Sequence, residues 1–505
     1  MCDTEAVTDA RQLEPRLVAG RLSLTAAELA AATGGRLVHA SRREIRGGAV
    51  DSRLVEPGSL FVALPGERTD GHAFLPDAVA AGAAALLVAD SPAAQKAVAA
   101  VLASGADVTV VAVPDTLLGL HAAAAAWRLR FSPLVVGVTG SIAKTSVKEA
   151  IAAVLGEGFV TLKSEGNANN EVGLPLTVLR LGPQHEAVVL EMGMYVGGEI
   201  AQLAAIAQPR IGVVTAVREV HLSRIGTIDA VERAKAELIE ALPADGTAVL
   251  NADDPRVAGM GRLAAGRVLT YGFAPEADFR PEGVQANGLD GMAFRLVTPD
   301  GEVPVRTPAL GRHGVHNALA AAATGMAAGL SLEVVAGGLE RGWQAPHRDQ
   351  IVRAGDLTIL DDSYNASPTS MIAALELLAT LPGRHVAVLG EMRELGEAHE
   401  RGHREVGEAA AGLVDELIVV GQAASGIAAG AASLGSAVAQ APDRDAALAI
   451  LRRRLQPGDA VLVKASRGAE LDLIVEALRS PGGRDGQVGT GLREPASGHA
   501  VEEKH

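Results

Sequence analysis

Only one of the 505 residues is cysteine, Cys2, and aromatic residues make up only 2% of the chain. A lone thiol excludes a disulfide framework and a cysteine-based zinc site, and it fits a reducing, cytoplasmic setting. With so few rings, the cores must be built from Ala, Val, Leu and Ile, which dominate a hydrophobic share of 48%. Positive charge is also scarce: 45 Lys and Arg stand against 60 Asp and Glu, a net −15. That balance argues against a nucleic acid or an anionic membrane as partner. No uncharged apolar run approaches the ~18 residues of a membrane span, and the acidic first residues do not read as a secretory signal. An Asn-x-Ser match at residues 365–367 is therefore not expected to carry a glycan.

The length predicts about three domains at ~150 residues each. Residues 1–20 and 483–505 are polar and aperiodic and read as disordered tails. Between them, 21–115 alternates short strands with alanine-rich helices, a small α/β domain. Longer strand–helix units fill 116–343 and predict a mostly parallel sheet with helices on both faces. Residues 344–482 hold LTILDDSY, HVAVLGEM, ELIVVG and DAVLVKAS, each an apolar run ending in polar residues before a helix. This predicts a doubly wound, Rossmann-like domain. Ligands in such sheets sit beyond the carboxyl ends of strands, so the active site is expected in the cleft between the second and third domains.

The most informative stretch is GVTGSIAKTS at 137–146. A short β-branched run precedes it, and the apolar residues Val147, Ala150, Ile151, Val154 and Leu155 follow at helical spacing. Strand, glycine-rich turn and helix in that order form a phosphate-binding loop. Gly137, Thr139, Gly140 and Ser141 belong to its first half, and Ala143, Lys144, Thr145 and Ser146 to its second. Lys144 would reach the terminal phosphates and Thr145 would hold Mg²⁺. The usual pattern has glycine where Ala143 stands. If the backbone there needs positive φ, the methyl costs stability or affinity; if it is near-helical, the methyl is tolerated.

Four more polar groups follow in the central region: Glu191 in VLEMG, His221 in REVH, Lys235 in ERAKAEL and Asn251 in LNADDP. A carboxylate, a histidine and a threonine hydroxyl suit metal ions bridging phosphates. Singly, Glu191 has a plainer reading as a strand-end charge, His221 as a loop histidine and Lys235 as a solvated helix lysine. The spacing of Ala234, Leu238 and Ala241 puts an apolar stripe inward and Lys235 at its edge.

Taken together with VDSR, LFVALPGERTDGHAFL, EGNANNEVGLPLTVL, HNALAAAA, PHR, LDDSYNASPTSM, LGEMRELGEAHERGH and VLVKASRG, these segments resemble the Mur ligases over roughly residues 21–480. Within that family the resemblance is to the MurF type. It implies ATP-dependent addition of D-alanyl-D-alanine to a UDP-N-acetylmuramoyl tripeptide through an acyl phosphate, by a cytoplasmic monomer of peptidoglycan synthesis. It also implies two Mg²⁺ ions, held by Thr145 and Glu191 and by His221 and a carbamylated Lys235. Asn251 and Asn317 would lie by the adenosine, with Arg348 and Asp362 closing on the nucleotide from the third domain. Lys144, His221, Lys235 and Arg348 would be the catalytic set. Ser52 and Arg53 would hold the UDP part, and Asn167, Asn169 and Asn170 the muramoyl peptide. Tyr364, Asn365 and Ser466 would hold the dipeptide. A DNPR segment, usual in the diamino-acid-adding sibling, is absent. Alternatives within and beyond the family are another Mur-like amide ligase, a non-catalytic nucleotide-binding relative and a phosphate-loop kinase.

Overall fold

The computed structural model describes residues 22–66, 69–218 and 225–480, so His221 and nearly all of both expected tails lie outside the described residues. Among the described residues, four sheets follow one another along the chain. The first runs Arg36–His39, Thr109–Val113, Ala85–Ala89, Leu60–Val62, Gly48–Ala49 from edge to edge, and only its first strand is antiparallel. The central sheet is wholly parallel, in the order Arg267–Tyr271, Thr247–Asn251, Ile211–Val214, Leu134–Thr139, Ala187–Glu191, Thr161–Lys163. The last large sheet runs Gln350–Ala354, Leu357–Asp361, Ala460–Lys464, His385–Leu389, Glu416–Val420, Val438–Ala441, parallel apart from its first strand. Each of these three sheets carries buried clusters on both faces, which is why its strands read as unbroken apolar runs.

The fourth sheet was not separable from the sequence pattern. Arg280–Ala286, Met292–Thr298 and Gly301–Thr307 form an antiparallel meander inside the stretch read as strand–helix units. Its middle strand alternates, with Met292, Phe294, Leu296 and Thr298 buried, the signature of a sheet packed on one face.

First and second domains share one core. Trp127 and Phe131, at and just after the end of helix Thr116–Arg128, pack in a cluster that also holds Val135, Leu174 and Leu203. The Trp127 indole N–H donates to the Leu181 carbonyl at 3.0 Å. The buried Arg128 guanidinium donates to the carbonyls of Ala207 and Phe131 at 2.9 and 2.8 Å. Ala207 ends helix Glu199–Ala207, where a positive charge complements the helix dipole. At the other boundary Leu310, which precedes helix Gly311–Ala327, is buried in the core of the third domain.

Two glycines on neighbouring central strands decide where Lys235 lies. A Cβ on Gly137 would come within 2.9 Å of Leu238, and one on Gly212 within 3.2 Å of the same side chain. Their bare backbones let helix Ile228–Glu240 settle onto the sheet beside the phosphate loop. Lys235 is consequently only 2% exposed, in the interior rather than at the stripe's edge.

Candidate active site

The phosphate loop leaves strand Leu134–Thr139 and enters helix Lys144–Leu155. The buried Thr139 hydroxyl donates to the Met192 carbonyl at 2.8 Å, tying the loop's start to the neighbouring strand's exit. Gly140 has φ 151°, and a Cβ there would lie 1.8 Å from the Thr215 hydroxyl, so no other residue fits. That hydroxyl donates to the Ile142 carbonyl at 2.6 Å, while Ser141 bonds the backbone of Ala216 and Arg218. The loop is thus braced from strand Ile211–Val214 and its exit, leaving a backbone cradle suited to phosphate oxygens. Ser146 lies in the first helical turn.

Ala143 has φ 64° and ψ 1°, the left-handed region. Of the two alternatives open for this position, the structure selects the costly one, at about 1–2 kcal/mol for an L-residue. The loop is closed just before this residue by the Thr215 hydroxyl on the Ile142 carbonyl, and Ala143 then opens the helix, its carbonyl accepting from the Val147 N–H at 2.9 Å.

Lys144 donates to the Gly140 carbonyl at 2.9 Å across its own loop. Burial pulls its ammonium below the ordinary lysine range; Glu191 and Glu394 oppose that shift and Arg348 adds to it. Residues of the third domain therefore act on the loop lysine. Thr145 donates to Glu191 Oε2 at 2.8 Å, and Asn169 donates to Glu191 Oε1 at 2.7 Å. Glu191 is 1% exposed, a hard oxygen donor beside a hydroxyl, as Mg²⁺ favours. Lys235 has no hydrogen-bond partner among the described residues, and burial followed by the Lys144 charge holds its amine well below the usual range. Among the described residues there is no group of three His, Cys, Asp or Glu that could hold a metal.

Toward the sheet's far edge, the Asn251 carboxamide is engaged inside the protein. Its nitrogen donates to the Thr215 carbonyl at 2.7 Å, and its oxygen lies 3.1 Å from His316 Nε2. Asn317 is 5% exposed and has no hydrogen-bond partner among the described residues, which leaves its amide available to a ligand. Phe273 stacks parallel to His316 at 6.3 Å, and the Arg312 guanidinium lies 3.5 Å from the centroid of the Phe273 ring.

From the third domain, Arg348 lies between His347 and Asp349, both left-handed at φ 57° and 48°. Such residues each cost about 1–3 kcal/mol and persist where surrounding contacts impose them. Here His347 Nδ1 is 2.8 Å from Asp361 Oδ2, and Asp349 Oδ2 is 3.1 Å from His313 Nε2 of the second domain. The Arg348 guanidinium is held 4.3 Å from the centroid of the Tyr364 ring, and Arg467 donates to the Tyr364 hydroxyl at 3.4 Å. Asp362 pairs with the buried Lys464, which also donates to the Asn365 carbonyl at 2.8 Å. Burial pushes the Asp362 carboxyl up to about 7, with Lys464 opposing and Asp349 reinforcing.

Several substrate candidates have internal duties. Asn170 accepts from the Gly173 N–H at 2.8 Å and caps the next helix, whereas the neighbouring Asn167 is exposed. Ser466 accepts from the Arg393 N–H at 2.9 Å, joining the KASRG and GEMRELG loops. Ser52 and Arg53 lie in the first domain's turn Ser52–Leu54, and the Arg53 fork is engaged by Asp51 within that turn. Asp70, Gly71 and His72 form an internal lock: His72 Nε2 accepts from the Ala89 N–H at 2.9 Å while Nδ1 sits 2.6 Å from Asp70. Sequence reading missed Lys464 and Lys148. Lys464 could have been found as a charge ending an apolar strand. Lys148 could not, because a lysine in an amphipathic helix ordinarily reads as solvated.

Family patterns match in chain order: the Mur ligase family catalytic domain at 44–128, the Mur ligase middle domain at 138–325 and the Mur ligase glutamate ligase domain at 347–467. A UDP-N-acetylmuramoyl-tripeptide–D-alanyl-D-alanine ligase of Mycobacterium tuberculosis is 40% identical, across 90% of this chain and 98% of its own. The Escherichia coli protein of that name is 38% identical, over 86% of this chain and 93% of its own. Crystallised MurF of Acinetobacter baumannii superposes with a TM-score of 0.81 at 30% identity, covering 92% of this chain and 99% of that one. MurF of Thermotoga maritima, solved with ADP, gives 0.73 at 28% identity, with 86% and 97% covered. Phosphate loop, third-domain arginine and whole-length likeness agree, and the chain belongs to the Mur ligase family.

Proposed function

We propose that this chain is an ATP-dependent ligase that joins D-alanyl-D-alanine to UDP-N-acetylmuramoyl tripeptide, with ADP and phosphate as products, in cytoplasmic peptidoglycan precursor synthesis. The observation that carries this reading is 40% identity, over 90% of the chain, to a protein named for that reaction. Among the described residues no helix is long and apolar enough to cross a membrane. We take the working form to be a monomer.

A carboxylate oxygen of the tripeptide attacks the γ-phosphorus of ATP, forming the acyl phosphate as the bond to the β-phosphate oxygen breaks. The dipeptide amine then attacks the acyl carbon; a C–N bond forms, phosphate departs with the C–O electron pair, and the nitrogen releases its proton. The first step brings two anions together and the second expels a phosphate anion, so fixed positive charge aimed at the phosphates supplies most of the catalysis. Lys144 and the loop N–H groups bind them from the second domain, and Arg348 approaches from the third. Mg²⁺, when bound, neutralises phosphate oxygens. Thr145 and Glu191 would hold one ion, and His221 with a carbamylated Lys235 the other. Burial favours the uncharged amine at Lys235, the form that can take up CO₂ with loss of a proton. Asn317 and Asn251 would border the adenosine, with Asp362 near the nucleotide. Ser52 and Arg53 would meet the UDP part, the 167–170 asparagines the muramoyl peptide, and Tyr364, Asn365 and Ser466 the dipeptide.

Phosphate release measured with the UDP-tripeptide, with and without D-alanyl-D-alanine, tests the assignment. Release should require the dipeptide; release that ignores it, or that follows single amino acids equally well, would overturn it.

A further inference from the structure

Lys148 lies one turn beyond Lys144 on the helix that follows the phosphate loop, and its side chain is wholly inaccessible, with 0% exposure. A buried ammonium is expensive unless every proton finds an acceptor. Lys148 Nζ donates to the Ser164 carbonyl at 2.7 Å and the Gly166 carbonyl at 3.0 Å. It lies 3.1 Å from Glu149 Oε1 and 4.0 Å from Glu191 Oε2. Among the described residues those two carboxylates are the charged groups paired with it, and Glu149 has a second cation in Lys163.

Both carbonyl acceptors belong to the segment that leads to Asn169. Ser164 is itself fastened to the neighbouring strand, its N–H donating to the Val189 carbonyl at 3.0 Å and its hydroxyl accepting from the Glu191 N–H at 3.2 Å. Gly166 then turns the chain at φ 50°. Asn169 packs where a Cβ on Gly193 would come within 2.9 Å of its side-chain oxygen. Its carbonyl accepts from the Gly193 N–H at 2.8 Å, and its amide donates to Glu191 Oε1 at 2.7 Å. The Glu191 carboxylate is therefore oriented from one side by Thr145 and from the other by a loop that Lys148 anchors.

We propose that Lys148 is a positioning residue that fixes the 164–170 loop and, through Asn169, aims the Glu191 carboxylate toward the nucleotide's metal. The inference rests on the ligase reading above. A helix-to-loop tie for stability alone would not need an ammionium beside Glu191; the placement joins mechanical anchoring to countercharge at the carboxylate that serves the phosphates.

The test compares wild type, Lys148→Met, which keeps length and loses charge, Asn169→Ala and the double variant. Backbone hydrogen exchange over 164–170 is read without ligands, and phosphate release is read against Mg²⁺ and ATP. Lys148→Met should speed exchange in that loop, raise half-saturating Mg²⁺ and lower kcat by about 10–100-fold, the usual range for groups that orient a metal ligand. The double variant should be no slower than the slower single variant, because both changes break one chain of contacts. If Lys148→Met does not fold, Lys148→Arg, which keeps the charge but displaces it, should show the same loop and Mg²⁺ effects. Unchanged exchange over 164–170, or multiplicative losses in the double variant, would overturn the proposal. Wild type that releases no phosphate with the two substrates would instead overturn the ligase reading, which separates the two failures.

Discussion

Lys235 and Lys144 are two lysines within electrostatic reach of each other, and the Lys144 charge adds to burial in holding the Lys235 amine well below the ordinary range. The proposed carbamylation of Lys235 would turn this buried amine, which has no hydrogen-bond partner among the described residues, into an anion. Lys235→Ala should remove most activity with the fold intact, and a small added carboxylate should restore part of it. A ¹³C-carbamate resonance should appear with labelled bicarbonate in wild type and vanish in the variant. Full activity in CO₂-free buffer with no such resonance would rule the carbamate out.

The left-handed backbone at Ala143 makes a second prediction. Glycine relieves about 1–2 kcal/mol of conformational cost but loses part of that to unfolded-state entropy. Ala143→Gly should therefore stabilise the protein by up to about 1 kcal/mol in denaturant unfolding and shift ATP affinity by no more than about 1–2 kcal/mol. A natural protein that binds no ATP until glycine is introduced would show that the loop is degenerate.

Arg348 is held over Tyr364 by contacts of the third domain, whereas the phosphate loop belongs to the second. Arg348→Ala should lower kcat by at least about 100-fold, as removal of a transition-state donor does, while ATP affinity changes by less than about tenfold. An unchanged turnover would sink the idea that closure of the third domain completes the site.

Asp362 supplies a pH signature. Burial raises its native carboxyl to about 7 against an ordinary value of 3.8, so between those values the folded state holds a proton that the unfolded chain has released. Its contribution to stability is full below the ordinary value and is lost as pH rises to about 7. Asp362→Asn should flatten the fall in stability across that window, read from urea midpoints at each pH. An identical slope in wild type and variant would place the proton elsewhere.

How much of this was legible in the chain depends on the range of the interactions. The phosphate loop was readable because a β-branched run, a glycine-rich turn and a helical stripe are local patterns. Alternation of strands and helices gave the α/β class for the same reason, and the low aromatic content already required aliphatic cores. Other features depended on what the fold brings together. The left-handed state of Ala143 follows from loop closure against Thr215, and the burial of Lys235 follows from Gly137 and Gly212 opening room for its helix. Lys148 looked like any solvated helical lysine until Ser164 and Gly166 were folded over it. The sequence by itself determined the α/β class, the strand–turn–helix unit of the phosphate loop and most of the candidate residues, because those rest on neighbours along the chain. Only the tertiary structure decided which charges meet in a dry interior, because burial and long-range partners are properties of packing.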